Sequence, residues 1–206
     1  MTFPERKYST IADYSDAYFA ESVQAFASVD RSRLSAAAQI LETAYKNSNA
    51  VYACGNGGSA SISNHLVCDH MKGVQTDTQL RPRVCSLSSN IEIITAIAND
   101  IAYADVFVFQ LRTLASRGDV LVTISSSGDS ENVVRALQWA RDNGLSVIAL
   151  TGFAGGRTAQ LADVNLHVAG NNYGIIEDVH QALMHILAQY LRQSHMSADT
   201  IHERKF

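Results

Sequence analysis

The sequence predicts an α/β domain in which helices flank a five-stranded parallel β-sheet. Short apolar runs alternate along the chain with amphipathic segments of helical spacing, which is the pattern of strands joined by crossover helices. The run 119–124 is almost continuously apolar, as expected of a strand covered on both faces. Two of the runs end in glycine- and serine-rich turns that open helices. Ligands of such sheets bind beyond the carboxyl ends of the strands, so these turns are where a site is expected.

Two helices are predicted ahead of the sheet. Apolar residues recur at helical spacing from Thr10 to Val29, and a second helix is expected from Arg31 to Asn47 with Asp30 as its cap. The first helix carries a stripe rich in aromatic residues: Tyr14, Tyr18, Phe19, Val23 and Phe26. This stripe has two interpretations, because it either forms a subunit interface or simply covers the sheet of its own chain.

The remaining elements follow in strand and helix alternation. The predicted strands are 51–54, 83–87, 119–124, 146–151 and 164–168. Helices are predicted directly after Gly58 and at 91–98, 106–115, 132–143 and 175–191. We therefore expect one domain, with leading helices in 1–48, a core in 49–193 and a polar tail in 194–206.

Composition narrows the class of protein. The chain has 206 residues, of which 47% are hydrophobic and 17% charged, and its net charge is −4. This balance argues against a dominant nucleic-acid or anionic-membrane surface. We expect no membrane span and no secretory signal, and hence a cytoplasmic protein. Cys54, Cys68 and Cys85 lack metal-type spacing and are expected to be buried reduced thiols.

The first glycine-rich turn is a candidate anion site. Gly55, Gly57 and Gly58 follow the strand 51–54 and allow the backbone to approach a ligand closely. With Ser59 or Ser61 as helix cap, free backbone N–H groups and the positive helix end would meet at one point, which suits a phosphate. His65 and Asp69, four residues apart, would share a helix face about one turn below this point.

The same turn has two other interpretations. Gly-Asn-Gly-Gly-Ser-Ala fits the dinucleotide-binding fingerprint, but no acidic residue closes a second strand at about 20 residues further on. It can also be a glycine turn that binds nothing, although that leaves three glycines with flanking serines unexplained.

A second turn has the same features as the first, because it is rich in serine, follows a predicted strand and opens a helix. The segment Ser125 to Ser130, Ser-Ser-Ser-Gly-Asp-Ser, follows the strand 119–124 and opens a helix. Its hydroxyl groups can donate to phosphate oxygens, while Gly128 relieves backbone strain. Two such turns at central strand ends predict a phosphorylated ligand.

These segments together resemble a known family. The motifs are Gly-Asn-Gly-Gly-Ser with His65 downstream, the Ser125 to Ser130 turn, Ala98-Asn99-Asp100 and the segment from Glu177 to His185. Over residues 50–191 they resemble the sugar isomerase (SIS) domain and, within it, the phosphoheptose isomerases. The resemblance implies a flavodoxin-like fold and isomerisation of sedoheptulose 7-phosphate to D-glycero-D-manno-heptose 7-phosphate in heptose biosynthesis. It also implies zinc, and a homotetramer whose subunit interfaces include the leading helices and hold the active sites.

The resemblance also implies roles for individual residues. The implied catalytic pair is Asp69 and His185. The implied metal ligands are His65, Asp69, Glu177 and His185. The implied phosphate and substrate contacts are Asn56, Gly57, Ser59, Asp100, Ser125, Ser126, Ser127, Ser130 and Glu177. Two positions depart from the family, which usually has Glu at Asp69 and Gln at Glu177, and a basic family residue shortly after the first helix has only Lys72 as a neighbouring candidate.

The chemistry of these residue types agrees with the resemblance. Aldose–ketose isomerisation needs a base beside the carbonyl, an acid and a group that stabilises the enediolate. Glu177 and His185 are eight residues apart, about 80° around an ideal helix, so both can face one site. Two imidazoles and two carboxylates form a plausible zinc set.

Other interpretations remain. His65 and His185 can be partly buried structural histidines, and His180 lies on another face as an interface or supporting residue. The alternative function is a non-catalytic SIS module that binds phosphosugars or a protein partner, and a third is an isomerase for another ketose phosphate.

Overall fold

The computed structural model describes residues 3–206 and has the predicted α/β architecture. The strands are β1 (Ala50–Gly55), β2 (Arg83–Ser86), β3 (Val120–Ser125), β4 (Ser146–Thr151) and β5 (Val164–His167). All pairs are parallel and the strand order is β2-β1-β3-β4-β5, which is the flavodoxin-like order. The predicted single domain with a five-stranded parallel sheet is therefore confirmed.

Helices pack on both faces of this sheet. They are α1 (Ile11–Ala27), α2 (Arg31–Lys46), α3 (Gly58–Cys68), α4 (Ile91–Asp100), α5 (Val108–Leu114), α6 (Glu131–Asp142), α7 (Gly156–Leu161) and α8 (Tyr173–His195). A π-helical turn, Asp69–Val74, continues α3, and short 3-10 turns lie at Tyr103–Asp105 and Ala198–Glu203. None of the helices in residues 3–206 is long and apolar enough to cross a membrane.

The two central strands explain why the strand predictions succeeded. Every residue of β1 and β3 is buried, because one hydrophobic core lies on each face of the sheet. A strand buried on both sides must be apolar throughout, and this is visible in the sequence. The short helix α7 was not predicted, since its six residues are too few to show a helical period.

The aromatic stripe of helix α1 is divided between residues that pack on their own chain and residues that are exposed. Tyr14 and Tyr18 pack against Phe3 and the core of their own chain, and the Tyr18 hydroxyl donates to Asp178 Oδ2 at 2.6 Å on α8. These two tyrosines therefore cover the core of their own chain, and a subunit interface on α1 stays a prediction. The rest of the stripe is exposed: Phe19, Val23 and Phe26 are 64%, 63% and 38% accessible.

The C-terminal tail packs against its own chain. Arg192, which is buried on α8, donates to the Lys205 carbonyl at 3.1 Å and lies over the Phe206 ring. It also pairs with Asp77 Oδ2 at 2.9 Å, and Arg204 donates to the same carboxylate at 3.0 Å. The tail thus joins the end of α8 to the segment that follows the π-helical turn.

The cysteines are free thiols, but only one of them is buried. Cys54 lies inside β1, and burial raises the pKa of its thiol to about 12. Cys68 and Cys85 are exposed, which corrects the prediction for those two. Cys68 ends α3 on its outer face, and the side chains of the edge strand β2 alternate between exposed and buried positions.

A buried aspartate ties together the start of the two central strands. Asp119 Oδ1 accepts from Ala50 N at 2.8 Å, and its Oδ2 accepts from Ser116 N at 2.8 Å. Backbone N–H groups need a partner, and this carboxylate accepts from the first N–H of β1 and from one in the loop that leads into β3. The contact fixes where β1 and β3 begin relative to one another.

We expect Asp119→Ala to lower the free energy of unfolding by about 1–3 kcal/mol, because the N–H of the buried Ala50 loses its partner, whereas the exposed Ser116 can donate to water. Asp119→Asn keeps one acceptor oxygen and should lower the free energy of unfolding by less than Asp119→Ala does. Urea unfolding at one fixed protein concentration measures both changes, with exposed Asp142→Ala on α6 as the control. Equal midpoints for Asp119→Ala and Asp142→Ala would contradict this assignment.

Candidate functional site

The first loop of the site depends on close approach between β1, β3 and α3. A Cβ on Gly55 would lie 2.8 Å from the Ile124 carbonyl oxygen and 2.7 Å from the Ser59 Cβ, so only glycine fits there. The cap of α3 is Gly57, with a positive φ of 54°, and neither Ser59 nor Ser61 caps the helix as predicted. Ser59 is instead buried within the first turn, and no side chain of the described chain caps the helix.

The second loop lies beside the first, because β1 and β3 pair in register at Gly55 and Ile124. Ser125 Oγ accepts from Gly128 N at 3.1 Å, and Ser127 Oγ accepts from Asp129 N at 3.3 Å. Ser126 Oγ is buried without a hydrogen-bond partner in residues 3–206. Ser130 is the N-cap residue of α6 but makes no capping hydrogen bond through its side chain.

Asn56 joins the two loops. Its amide exchanges two hydrogen bonds with the amide of Asn132, at 3.0 and 2.9 Å, and its Oδ1 also accepts from the Tyr103 hydroxyl at 2.8 Å. Sequence reasoning selected Asn56 but missed Asn132 and Tyr103. Asn132 directly follows the second turn, so its position was a usable signal, whereas Tyr103 lies 47 residues from its partner.

Asp69 lies between two histidines. Its Oδ1 is 3.3 Å from His65 Nε2, and its Oδ2 is 3.5 Å from His185 Nε2. The two imidazole rings are 5.3 Å apart, and one ligand atom from each of the three residues lies within 4.8 Å of the others. The (i, i+4) spacing from α3 into the π-helical turn thus brings His65 and Asp69 together as predicted, and α8 supplies His185 from the other end of the chain. The Gln181 amide nitrogen lies 3.0 Å from His185 Nε2.

Glu177 lies apart from this cluster, against the first turn of α3. A Cβ on Gly58 would lie 2.7 Å from the Glu177 carboxyl carbon, so the absence of a side chain at Gly58 makes room for the carboxylate. Partial burial, together with the neighbouring charge of Asp178, raises the pKa of Glu177. The structure therefore brings together three of the four predicted metal ligands and places the fourth at the glycine-rich turn.

Asp100 is exposed at the end of α4, where its Oδ1 accepts from Asn99 Nδ2 at 2.7 Å. It borders an apolar groove between α4 and α5 that includes Ile93, Phe109 and Leu114. No hydrogen bond or ion pair in residues 3–206 joins Asp100 to the serine turns or to the histidine cluster.

Two buried histidines hold the elements that carry the site. His180 Nε2 lies 3.1 Å from the Thr151 carbonyl oxygen and fixes α8 to the end of β4. His70 Nδ1 is hydrogen-bonded to the Tyr45 hydroxyl and anchors the π-helical turn to α2. Burial lowers the pKa of each imidazole to about 4, so both are neutral at neutral pH. His180 is thus a supporting residue on the buried face of α8.

Comparison with known proteins places this geometry in a family. The sequence model of the SIS domain family matches residues 14–152. Among named relatives, the phosphoheptose isomerase of Aliarcobacter butzleri is 39% identical over 77% of this chain and 83% of its own length. That of Alteromonas mediterranea is 34% identical over 89% of this chain and 95% of its own length.

Solved structures give the same result. The phosphoheptose isomerase of Neisseria gonorrhoeae superposes with a TM-score of 0.82 at 33% identity, over 89% of this chain and all of that one. The phosphoheptose isomerase of Francisella tularensis superposes with a TM-score of 0.83 at 30% identity, over 89% of this chain and 99% of that one. The chain therefore belongs to the SIS domain family and, within it, to the phosphoheptose isomerases.

Proposed function

We propose that the chain is an aldose–ketose isomerase that converts sedoheptulose 7-phosphate to D-glycero-D-manno-heptose 7-phosphate. The observation that carries this proposal is a carboxylate held between two imidazoles, on the helix that begins at one of two anion-directed turns. A phosphosugar-binding module needs the turns alone. The grouping of Asp69 with His65 and His185 favours the enzyme.

The phosphate is held by the serine turn and the start of α6. Ser125, Ser127 and Ser130 supply hydroxyl groups, and the first N–H groups of a 12-residue helix add partial positive charge. Ser59, Ser126, Asn56 and Gly57 complete the contacts from the adjacent loop. No Lys or Arg lies within either turn, so hydrogen bonds rather than a cationic side chain supply the affinity.

The reacting carbons lie beyond the phosphate, toward Asp69 and His185. Asp69 removes a proton from C1 of the ketose, which gives an enediolate, and a proton returned to C2 completes the aldose. The hydroxyl proton moves between O1 and O2, for which a ring nitrogen of His185 that holds no metal serves as donor and acceptor. The 3.5 Å between Asp69 Oδ2 and His185 Nε2 allows each group to stabilise the charge that develops on the other.

The donor set at this cluster fits a zinc ion. His65 Nε2, His185 Nε2 and one Asp69 oxygen are common zinc ligands, and they lie close enough together to share one ion. Bound zinc would polarise the substrate carbonyl and its adjacent hydroxyl. Glu177 as a fourth ligand remains a prediction, because its carboxylate lies against Gly58 rather than in the cluster.

The assembly we propose is a homotetramer with shared active sites. The exposed apolar residues of α1 support a subunit interface, and so does the apolar groove beside Asp100. An interface at that groove would let Asp100 reach a neighbouring site. A cytoplasmic location stays a prediction.

Ser127→Ala should raise the KM for sedoheptulose 7-phosphate about 10- to 100-fold, because a hydrogen bond to a charged group contributes about 1.5–3 kcal/mol. The turnover number should change less, since Ser127 contacts the phosphate and not the reacting carbons. Steady-state kinetics by proton NMR measure both, with exposed Ser35→Ala on α2 as the matched control. An unchanged KM would remove the serine turn as the anchor.

A second series of variants distinguishes the roles of the carboxylates of Asp69 and Glu177. Asp69→Asn and His185→Ala should each abolish isomerisation, while Glu177→Gln restores the residue usual in the family and should keep it. Zinc content measured by mass spectrometry should fall for the first two variants, and a fall for Glu177→Gln as well would support Glu177 as the fourth ligand. Exposed Glu203→Gln is the control for loss of one carboxylate. Loss of turnover in Glu177→Gln with zinc retained would instead make Glu177 the base. If the unmodified chain binds the phosphosugar without zinc or turnover, the binding module replaces the enzyme.

Light scattering should give a mass about four times the 22.4 kDa of the chain at micromolar concentration. Phe19→Glu combined with Val23→Glu places charge on the exposed face of α1 and should shift the mass downward. A monomeric unmodified chain would rule out a shared active site.

A further inference from the structure

We propose that Arg157, which lies outside both turns, is a positioning residue that holds two carboxylates of the phosphate loop away from the phosphate. The inference rests on the proposed function, because it assumes that the Ser125 to Ser130 turn binds a phosphate group. It concerns a residue that no sequence motif selected.

Arg157 makes four hydrogen bonds to the turn and the first residue of α6. Its Nε and its backbone N–H donate to Asp129 Oδ1 at 3.1 and 3.0 Å. One terminal nitrogen donates to Glu131 Oε2 at 2.9 Å, and the other donates to the Asp129 carbonyl oxygen at 2.8 Å. The planar guanidinium group therefore binds two carboxylates and a carbonyl at once, an arrangement that Lys cannot reproduce.

The segment that carries Arg157 is packed onto the turn through its backbone. Gly152 N donates to the Ser126 carbonyl at 2.9 Å, and Thr158 N donates to the Gly128 carbonyl at 3.0 Å. A Cβ on Gly156 would lie 2.6 Å from the Gly128 carbonyl carbon, so the two loops touch where neither has a side chain. These contacts fix the position of Arg157 relative to the turn.

Unpaired carboxylates at this place would oppose phosphate binding. Asp129 lies within the turn, and Glu131 is the first residue of α6. Hydrogen bonds from Arg157 lower the pKa of Asp129, and those from Arg135 and then Arg157 lower the pKa of Glu131, so both are ionised at neutral pH. A carboxylate is itself attracted to a helix N-terminus, so without a partner each would compete with the phosphate as well as repel it.

Arg135 offers an internal comparison. It also pairs with Glu131, at 3.0 Å, but its other partner is Asp105 at 3.0 Å, and it makes no hydrogen bond to residues of the serine turn. Both arginines are about half exposed, with 46% and 47% of the side chain accessible. Arg135→Gln therefore removes the same charge from the same carboxylate without releasing Asp129.

The experiment compares variants by their affinity for inorganic phosphate, titrated by calorimetry, and by their KM for sedoheptulose 7-phosphate. Arg157→Gln should weaken both about tenfold at low ionic strength, with a smaller change in turnover number, because Asp129 then has no ion-pair partner and Glu131 keeps only Arg135. Arg135→Gln should change them less than about threefold, because Asp129 stays paired. Adding sodium chloride to about 1 M, where the screening length is about 3 Å, should bring Arg157→Gln close to the unmodified chain.

Two further variants keep the proposal testable if Arg157→Gln folds poorly. The triple variant Asp129→Asn, Glu131→Gln, Arg157→Gln lacks the repelling charges and should recover most of the affinity. Asp129→Asn alone, with Arg157 in place, should bind phosphate about as tightly as the unmodified chain or up to about threefold more tightly, since one negative charge is gone.

The outcomes separate the two proposals. If the unmodified chain binds neither phosphate nor the phosphosugar, the proposed function fails. If it binds both and Arg157→Gln binds equally well at low salt, the inference fails alone. If Arg157→Gln weakens phosphate binding and either high salt or the triple variant fails to restore the affinity, Arg157 has a purely structural role. That outcome would also overturn the inference.

Discussion

The parallel pairing of β1 with β3 is the constraint on which the site depends. The pairing brings the ends of both strands to one edge of the sheet, so that the two turns that follow them are neighbours. Because Gly55 has no side chain, α3 begins directly above the pair and buries Ser59 against it. The amide pair of Asn56 and Asn132 then locks the two turns together. The two turns, with the helix starts that follow them, therefore lie side by side as a consequence of strand packing.

Helix α8 completes the site from the far end of the chain. Its buried face packs into the core, and His180 fixes it to the end of β4 through a neutral imidazole. His185, one helical turn and a residue further on, then lies beside Asp69. The buried His70 fixes the π-helical turn that begins at Asp69. Each side of the Asp69 and His185 pair is thus held by a histidine that is not itself part of the pair.

The sequence predicted what depends on local pattern and failed where distant contacts decide. Buried strands must be apolar, so β1, β3 and β4 were found almost to the residue, and the (i, i+4) spacing of His65 and Asp69 is a property of any helix. The predicted cap of α3 was wrong because close backbone packing places Gly57 at the cap position, although serine has the better N-cap propensity. The division of the aromatic stripe on α1 followed from Phe3 and α8, which no local pattern reveals.

The carboxylates near the two turns differ in what surrounds them and therefore in how readily they carry a negative charge. At the second turn Asp129 and Glu131 are exposed, and arginines hold them in their ionised form. At the first turn Glu177 has no ion-pair partner in residues 3–206, and partial burial raises its pKa. Pairing keeps the carboxylate ionised and holds its charge on the arginine, whereas burial reduces its tendency to carry the charge at all. Asp129, Glu131 and Glu177 all lie near the two proposed anion sites, and their surroundings rather than their residue type determine which of them can take up a proton.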